Sequence, residues 1–570
     1  MIKEFPPLPE VTQLENRREK NADLIDPAIL QSADFLHSPE VVELLEMKEK
    51  IGLLGGKLNP VELVTIDNVA AQKARFLDVF GTNDESGVVF SYEAVKDKAQ
   101  AALKEGLVAL GHKDEDVGNM SLQEMVAEAG AQTTLLRDQG RENRRSIRSS
   151  LKANPQLHET DHAKHILRSK LAANIAMQGL VVDLESTLQL VQGISQNDDT
   201  QIAEALGQIY GRSISSELRA AADQYLLEVP KNAHNRFVGD GTSGLTSDEF
   251  EALVLAENKT IPSTAKGVEE LQLMRKTDDP RSLLYADSTD IKKAFVWTTE
   301  KLYGEYEERT GAAFPEDQKF SFAIGDYSSI DVRDKSSGGK VICIPQNRIV
   351  DLKSLYELII HEIESHVLQS YLSDVVVGLG GGMTKPNQEI VYEGLALTRE
   401  DEGSREFLGI ESKLSENKAY YILAMDEALK GKSFWEVAHV IYDQSLELLK
   451  KRGIDDDAIE RQAKEKAWTI AYRVFRGHQK LDGFDTETAY AFTKDEAYLH
   501  GLLLVSQLNE REMGNIAAVA ISHINALSLL ARFDFSDDKM PITFQRHADE
   551  YFSNFLHPSL KEYVERTKAS

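Results

Sequence analysis

Residues 361–366 read His-Glu-Ile-Glu-Ser-His, and Glu393, inside Val391-Tyr392-Glu393-Gly394-Leu395-Ala396, follows the second histidine by twenty-seven residues. The stretch before the first histidine, Leu355-Tyr356-Glu357-Leu358-Ile359-Ile360, has the apolar content of a buried helix, with Asp351 or Ser354 able to cap its start. Histidines four apart on a helix share a face, but these are five apart. At about 100° per residue, positions i and i+4 diverge by about 40° and positions i and i+5 by about 140°. An undistorted α-helix would keep the two imidazoles from meeting at one ion. A local π-turn, with i to i+5 hydrogen bonding, restores the shared face, and such bulges are frequent at functional sites. The spacing therefore predicts a π-turn between His361 and His366.

Coordination chemistry then assigns roles. His361 and His366 offer two neutral nitrogens and Glu393 a carboxylate oxygen, leaving a fourth position for water, as in catalytic zinc sites of two histidines and one glutamate. Glu362, next to the first ligand, is placed to act as general base toward that water and then as proton donor to a leaving amine. The competing reading is an amphipathic helix whose histidines are ordinary core or surface residues. The later Glu-Gly-Leu-Ala weighs against it.

The pair His-Glu-Ile-x-x-His and Glu-Gly-Leu-Ala resembles the metallopeptidase family known by its Gln-Glu-Gly-Leu-Ala motif, which includes the microtubule-associated tyrosine carboxypeptidases. Other stretches are similar to it in the same order: Lys340-Val341-Ile342-Cys343-Ile344-Pro345, Arg473-Val474-Phe475-Arg476-Gly477 and Thr493-Lys494-Asp495-Glu496-Ala497-Tyr498-Leu499. Lys73-Ala74-Arg75-Phe76-Leu77 and Phe90-Ser91-Tyr92 resemble its amino-terminal part, so the likeness runs from about residue 60 to about residue 510. The resemblance implies a zincin-like metallopeptidase that binds Zn2+ and releases a carboxy-terminal residue, aromatic in the best-defined members. It places the metal ligands on His361, His366 and Glu393 and the catalytic glutamate on Glu362. Three positions depart from the pattern: Glu364-Ser365 stands for Gly-Thr, Gln369 for an arginine, and Tyr392 for a glutamine or glutamate. These departures bear on substrate preference. Glu364 is expected to face solvent, because buried acids are rare.

A carboxypeptidase must also bind its substrate's terminal carboxylate, which calls for a cation near the metal. With Gln369 unable to serve, Arg476 and Lys494 are the leading candidates, ahead of Arg473. Tyr498 is a candidate donor to a tetrahedral oxyanion, with packing as its alternative role. The substrate implied is the carboxy-terminus of a peptide or protein. Two other readings stay open: an amino- or endopeptidase using the same centre, and a non-enzymatic regulator or helical scaffold that keeps a structural zinc.

The net charge of −28 argues against nonspecific attraction to nucleic acid or to an anionic membrane. The single cysteine, Cys343, excludes an internal disulfide and reads as buried packing in an apolar strand. The first residues, Met1 to Pro9, lack the apolar core of a signal peptide, so the expected location is the cytoplasm. The most apolar long run, Ile516 to Ala531, is broken by Ser522, His523, Asn525 and Ser528 and reads as a buried helix, not a membrane span.

Apolar residues recur at three and four from about residue 10 to 230, which makes residues 1–230 a mainly helical amino-terminal region. The stretch 231–266, rich in glycine near Gly239 to Gly244, reads as a loop or hinge opening a zincin-like catalytic region over 231–510; residues 511–570 form a carboxy-terminal helical segment. Strand signals gather at Phe320 to Ile324, Ile330 to Val332 and Val341 to Ile344, the last two joined as a hairpin by Ser336-Ser337-Gly338-Gly339. The expected fold is α+β, predominantly helical, with a small sheet beside a metal-bearing helix. Gly378 to Gly382 fits neither a P-loop nor a dinucleotide fingerprint and reads as a mobile loop. His158, His162 and His165 have a helical spacing that could bind a metal, and the basic run Arg137, Arg141, Arg144, Arg145, Arg148 and Lys152 could dock an acidic protein tail, but both read first as solvated helix faces.

Overall fold

In a computed structural model of the chain, the three- and four-residue spacing of the amino-terminal region becomes long helices. The helix Leu122–Ala153 starts on a capping box: the Glu124 carboxylate accepts from the Ser121 backbone N–H at 2.7 Å, and the Ser121 hydroxyl accepts from that of Glu124 at 3.3 Å. Met125, Ala129, Leu136 and Ile147 lie on its buried stripe, while Arg141, Arg145, Arg148 and Lys152 are exposed, as a solvated basic face requires. It packs on the helix His162–Gln196. The structure describes residues 8, 11–15, 24, 32–55, 58, 60–65, 68–82, 85, 87–90, 93–154, 162–211, 213–228, 236–327, 329–334, 340–377, 386–411, 416–451, 456–477, 491–511, 513–519, 533–543 and 545–569. His158, Ser336 to Gly339, Gly378 to Gly382 and most of the run Ile516 to Ala531 lie outside them.

The fold is α+β and predominantly helical, with three small sheets among the described residues. The largest has three strands. Asp331–Asp334 runs antiparallel to Lys340–Pro345, pairing Asp331 with Cys343 and Asp334 with Lys340, which is the hairpin pairing read from the sequence. Ser321–Gly325 lies parallel to Lys340–Pro345 on its other side. Tyr285–Asp287 pairs with Ile349–Asp351, and Arg236–Phe237 pairs with Ile410–Glu411. The stretch 231–266 is not simply a loop: it holds the helix Ser247–Asn258, begun by a capping box between Thr246 and Glu249. That Thr-x-x-Glu signature was present in the sequence, masked by the neighbouring glycines.

Ile349–Asp351 leads directly into the histidine helix. Asp351 caps it, its carboxylate accepting from the Ser354 N–H at 2.9 Å. The helix runs through Leu352–Leu358, Ile359–Val367 and Leu368–Val377, and buries Leu355, Tyr356, Ile359, Ile360, Ile363, Val367 and Leu372. The three-stranded sheet meets it through Lys340, whose ammonium donates to the Ser370 hydroxyl. Most of the apolar burial lies in one core cluster that includes residues from Leu8 to Tyr563, with a small separate cluster at Leu449, Ile459 and Ala463. No helix among the described residues is long and apolar enough to cross a membrane.

Candidate metal centre

The middle section of the histidine helix, Ile359–Val367, is π-helical and contains both histidines. The wider turn brings His361 Nε2 and His366 Nε2 to 3.1 Å, with the two rings nearly perpendicular at 88°. The π-turn required by the five-residue spacing is therefore present. Tyr392 supports the second ring: it stacks on His366 at 4.4 Å between centroids, and its hydroxyl donates to the His366 carbonyl at 2.9 Å. Glu393, next to Tyr392 on the helix Pro386–Glu402, places Oε2 3.7 Å from His361 Nε2.

One donor atom from each of His361, His366 and Glu393 lies within 4.8 Å of the other two, the one such cluster among the described residues. Tetrahedral zinc with bonds of 2.0–2.1 Å to nitrogen separates two ligand nitrogens by about 3.3 Å. The observed 3.1 Å between the two nitrogens is close to that separation, and two imidazoles with one carboxylate are a donor set of the right chemistry for the ion. His361 also has the outer partner that metal-bound histidines usually have: its Nδ1 contacts the Glu400 carboxylate. Glu393 and Glu400 are seven residues apart, close to two helical turns, so one helix presents a carboxylate to each nitrogen of the same imidazole.

The electrostatics favour a cation here. Burial opposes protonation of His361, but Glu400, Glu362 and Glu393 outweigh it and raise its pKa to about 10. Burial, and then neighbouring His361, push His366 well below its ordinary value, keeping its lone pair free. Glu362 is partly buried within reach of the same cluster.

Residues 268–523 match the family model described as microtubule-associated tyrosine carboxypeptidase. This is the family that the motifs resemble, and at the level of the family the match supports a carboxypeptidase. The tyrosine carboxypeptidase match covers all three donors, Glu362, Arg476, Lys494 and Tyr498, and leaves Lys73 to Leu77 and Phe90 to Tyr92 outside. No curated protein and no solved structure matches the chain.

Two positions that depart from the tyrosine carboxypeptidase pattern have structural explanations. Glu364 does not face solvent as expected but is fully buried, its Oε1 accepting from the Ala548 N–H at 2.6 Å. Buried Arg399 lies beside it, NH2 3.7 Å from Oε2 and NH1 donating to the Glu364 carbonyl at 2.6 Å. Burial raises the Glu364 pKa despite Arg399 and the Ala548 N–H. The carboxylate escapes the usual rule because a distant chain segment and Arg399 supply its partners. Gln369 is also fully buried and donates to the Ala517 carbonyl at 2.8 Å.

The proposed substrate-binding residues fall into two groups. Tyr498 lies on the helix Glu496–Asn509, and Glu393 is the leading cause of its raised pKa, followed by burial. Lys494 Nζ is 5.7 Å from the Tyr498 ring centroid. Arg476 instead sits over the rings of Tyr472 and Phe492, at 5.1 and 5.8 Å. Arg473 is engaged by Asp495 at 3.3 Å and donates to the Tyr421 hydroxyl at 2.6 Å. The helices carrying Glu393 and Tyr498 cross glycine to glycine: a Cβ on Gly394 would lie 2.2 Å from the Gly501 carbonyl oxygen. Sequence reasoning missed Glu400, the supporting role of Tyr392, and Lys418. The ammonium of Lys418 lies 5.8 Å from the Tyr498 ring centroid, and Glu400, Glu393 and Glu357 partly offset the burial that lowers its pKa.

Proposed function

We propose that the protein is a zinc-dependent carboxypeptidase that removes the last residue, tyrosine-like in character, from a peptide or protein. The observation that carries this reading is the convergence of His361, His366 and Glu393 across a π-helical turn, within a segment that matches a carboxypeptidase family. His361, His366 and Glu393 would hold the ion, and Glu400 would fix the His361 ring and tautomer. Zinc, when bound, supplies a Lewis acid that activates water near neutral pH and polarises the scissile carbonyl. Glu362 takes the proton from the attacking water and delivers it to the departing amine nitrogen. Tyr498 donates a hydrogen bond to the developing oxyanion. The three-stranded sheet next to the histidine helix supports a zincin-like catalytic unit, and net charge −28 with one buried cysteine suits a cytoplasmic setting.

The test is mass spectrometry of products from zinc-loaded protein and a peptide library varied at the last residue. Peptides with acetylated amino ends should lose one terminal residue, and peptides with amidated carboxy ends should stay intact. Internal cleavage, or cleavage blocked by acetylation, would replace this reading with an endo- or aminopeptidase. Glu362→Gln should lower turnover by about a hundred- to ten-thousandfold while zinc content is kept. Retained turnover would refute Glu362 as the base. His366→Ala should abolish stoichiometric zinc in metal analysis, and a variant with full zinc would overturn the ligand set.

A further inference from the structure

Restricting cleavage to the last peptide bond requires a cation that reads the free carboxylate at a fixed distance from the metal. Arg473 is already committed to Asp495 and Tyr421, Arg476 lies over the rings of Tyr472 and Phe492 and not over that of Tyr498, and Lys494 lies 5.7 Å from the Tyr498 ring centroid. Lys418, on the helix Glu416–Leu429, shares that ring with Lys494 and is also within electrostatic reach of Glu400, Glu393 and Glu357. Its ammonium lies 5.8 Å from the Tyr498 ring centroid, and the Tyr498 helix crosses the Glu393 helix in backbone contact at Gly501 and Gly394, the residue next to Glu393.

Three carboxylates stand around Lys418, and each has another partner. Glu393 belongs to the metal triad, Glu400 contacts His361, and Glu357 accepts from Lys353 at 2.6 Å and from Ser404 at 3.0 Å. Among the described residues, no carboxylate forms an ion pair or hydrogen bond with the Lys418 ammonium. A partly buried ammonium without a direct counter-ion is unfavourable, and an arriving carboxylate relieves it.

We infer that Lys418 binds the terminal carboxylate of the substrate, on the Tyr498 side of the metal triad, and so confines the enzyme to the last peptide bond. The inference rests on the carboxypeptidase reading above and adds the residue that would set its specificity. Lysine supplies a single compact charge, so the recognition is for negative charge at one point and not for a bidentate carboxylate geometry. A peptide ending in an amide lacks that charge, and an internal peptide bond leaves the ammonium uncompensated.

Calorimetry on zinc-loaded, full-length Glu362→Gln protein tests this without turnover. The probes are one acetylated peptide ending in tyrosine and its carboxy-terminal amide. The free acid should bind roughly ten- to a hundredfold more tightly than the amide, the difference expected of one hydrogen bond to a charged group. Adding Lys418→Met should erase that preference with zinc content and circular dichroism unchanged, and Lys418→Arg should retain most of it. In the active background, Lys418→Met should raise KM for the acid more than it lowers kcat.

An undiminished preference in Lys418→Met would overturn the assignment. So would a preference lost only together with zinc and not restored by Lys418→Arg, since the lysine would then act on the metal shell. Failure of the wild type to cleave any free-acid peptide would sink the carboxypeptidase reading, while the binding assay would still decide the role of Lys418.

Discussion

At the residue scale, His361 makes contacts at both ring nitrogens: Nε2 faces His366 and Glu393, and Nδ1 faces Glu400. A ligand imidazole held in this way keeps one tautomer and one orientation, and removal of such an outer partner typically costs ten- to a hundredfold in metal affinity. Glu400→Gln should therefore weaken zinc by about that factor in chelator competition, with the fold unchanged. Equal affinity would show that Glu400 has no part in ligand orientation. The candidate donors His361, His366 and Glu393 could be picked out in the sequence because coordination restricts both residue type and spacing, and the structure brings the three together. Glu400 was legible only in retrospect, since its two-turn offset from Glu393 carries meaning once Glu393 is known to face the imidazole. Lys418 gave no signal, because a single lysine on an amphipathic helix looks like any solvated one.

At the element scale, the five-residue spacing of the histidines fixed the need for a π-turn, and Ile359–Val367 has it. The second ligand helix depends on a different constraint. Gly394 and Gly501 let two helix backbones touch, since a Cβ on Gly501 would lie 2.0 Å from the Ile390 carbonyl oxygen. Gly394→Ala forces those helices apart and moves Glu393 relative to the imidazoles. Overpacking of this kind typically costs about 1–3 kcal/mol. The variant should melt lower in calorimetry and bind less zinc. A wild-type melting temperature with full zinc would show that the crossing tolerates separation. The parallel pairing of Ser321–Gly325 with Lys340–Pro345 was not legible, because strand patterns give faces and turns but not which strand lies alongside.

At the scale of the whole molecule, the carboxy-terminal segment ties itself to elements hundreds of residues earlier. The Tyr356 hydroxyl donates to Asp549 at 2.8 Å, His547 lies 3.4 Å from Glu305, and His557 lies 3.3 Å from Glu249. Burial raises the pKa of Glu305, but His547 and Thr543 more than offset it; for Glu249, hydrogen bonds from Thr246 and His557 do the same. Both carboxyls are thus held below the ordinary value of 4.5 in the folded state. The unfolded chain takes up these protons first as pH falls. Their stabilisation is complete above pH 4.5 and is lost as pH drops through the folded values. The melting-temperature gap between wild type and Glu305→Gln should accordingly be widest near about pH 7 and narrow below pH 4.5. A gap independent of pH would show that Glu305 stabilises by packing alone.

The sequence by itself determined the predominantly helical fold, the hairpin, the π-turn of the histidine helix, and the residues of the candidate metal centre. Each follows from local periodicity or from ligand chemistry at fixed spacing. Only the tertiary structure decided that Glu364 is buried against Ala548 and Arg399, that Glu400 contacts His361, and that Lys418 lies beside the Tyr498 ring. The physical reason is common to all three: a charged side chain becomes buried, paired or available according to which distant backbone and side-chain groups surround it. Those groups come from other helices and, for Glu364, from the far end of the chain.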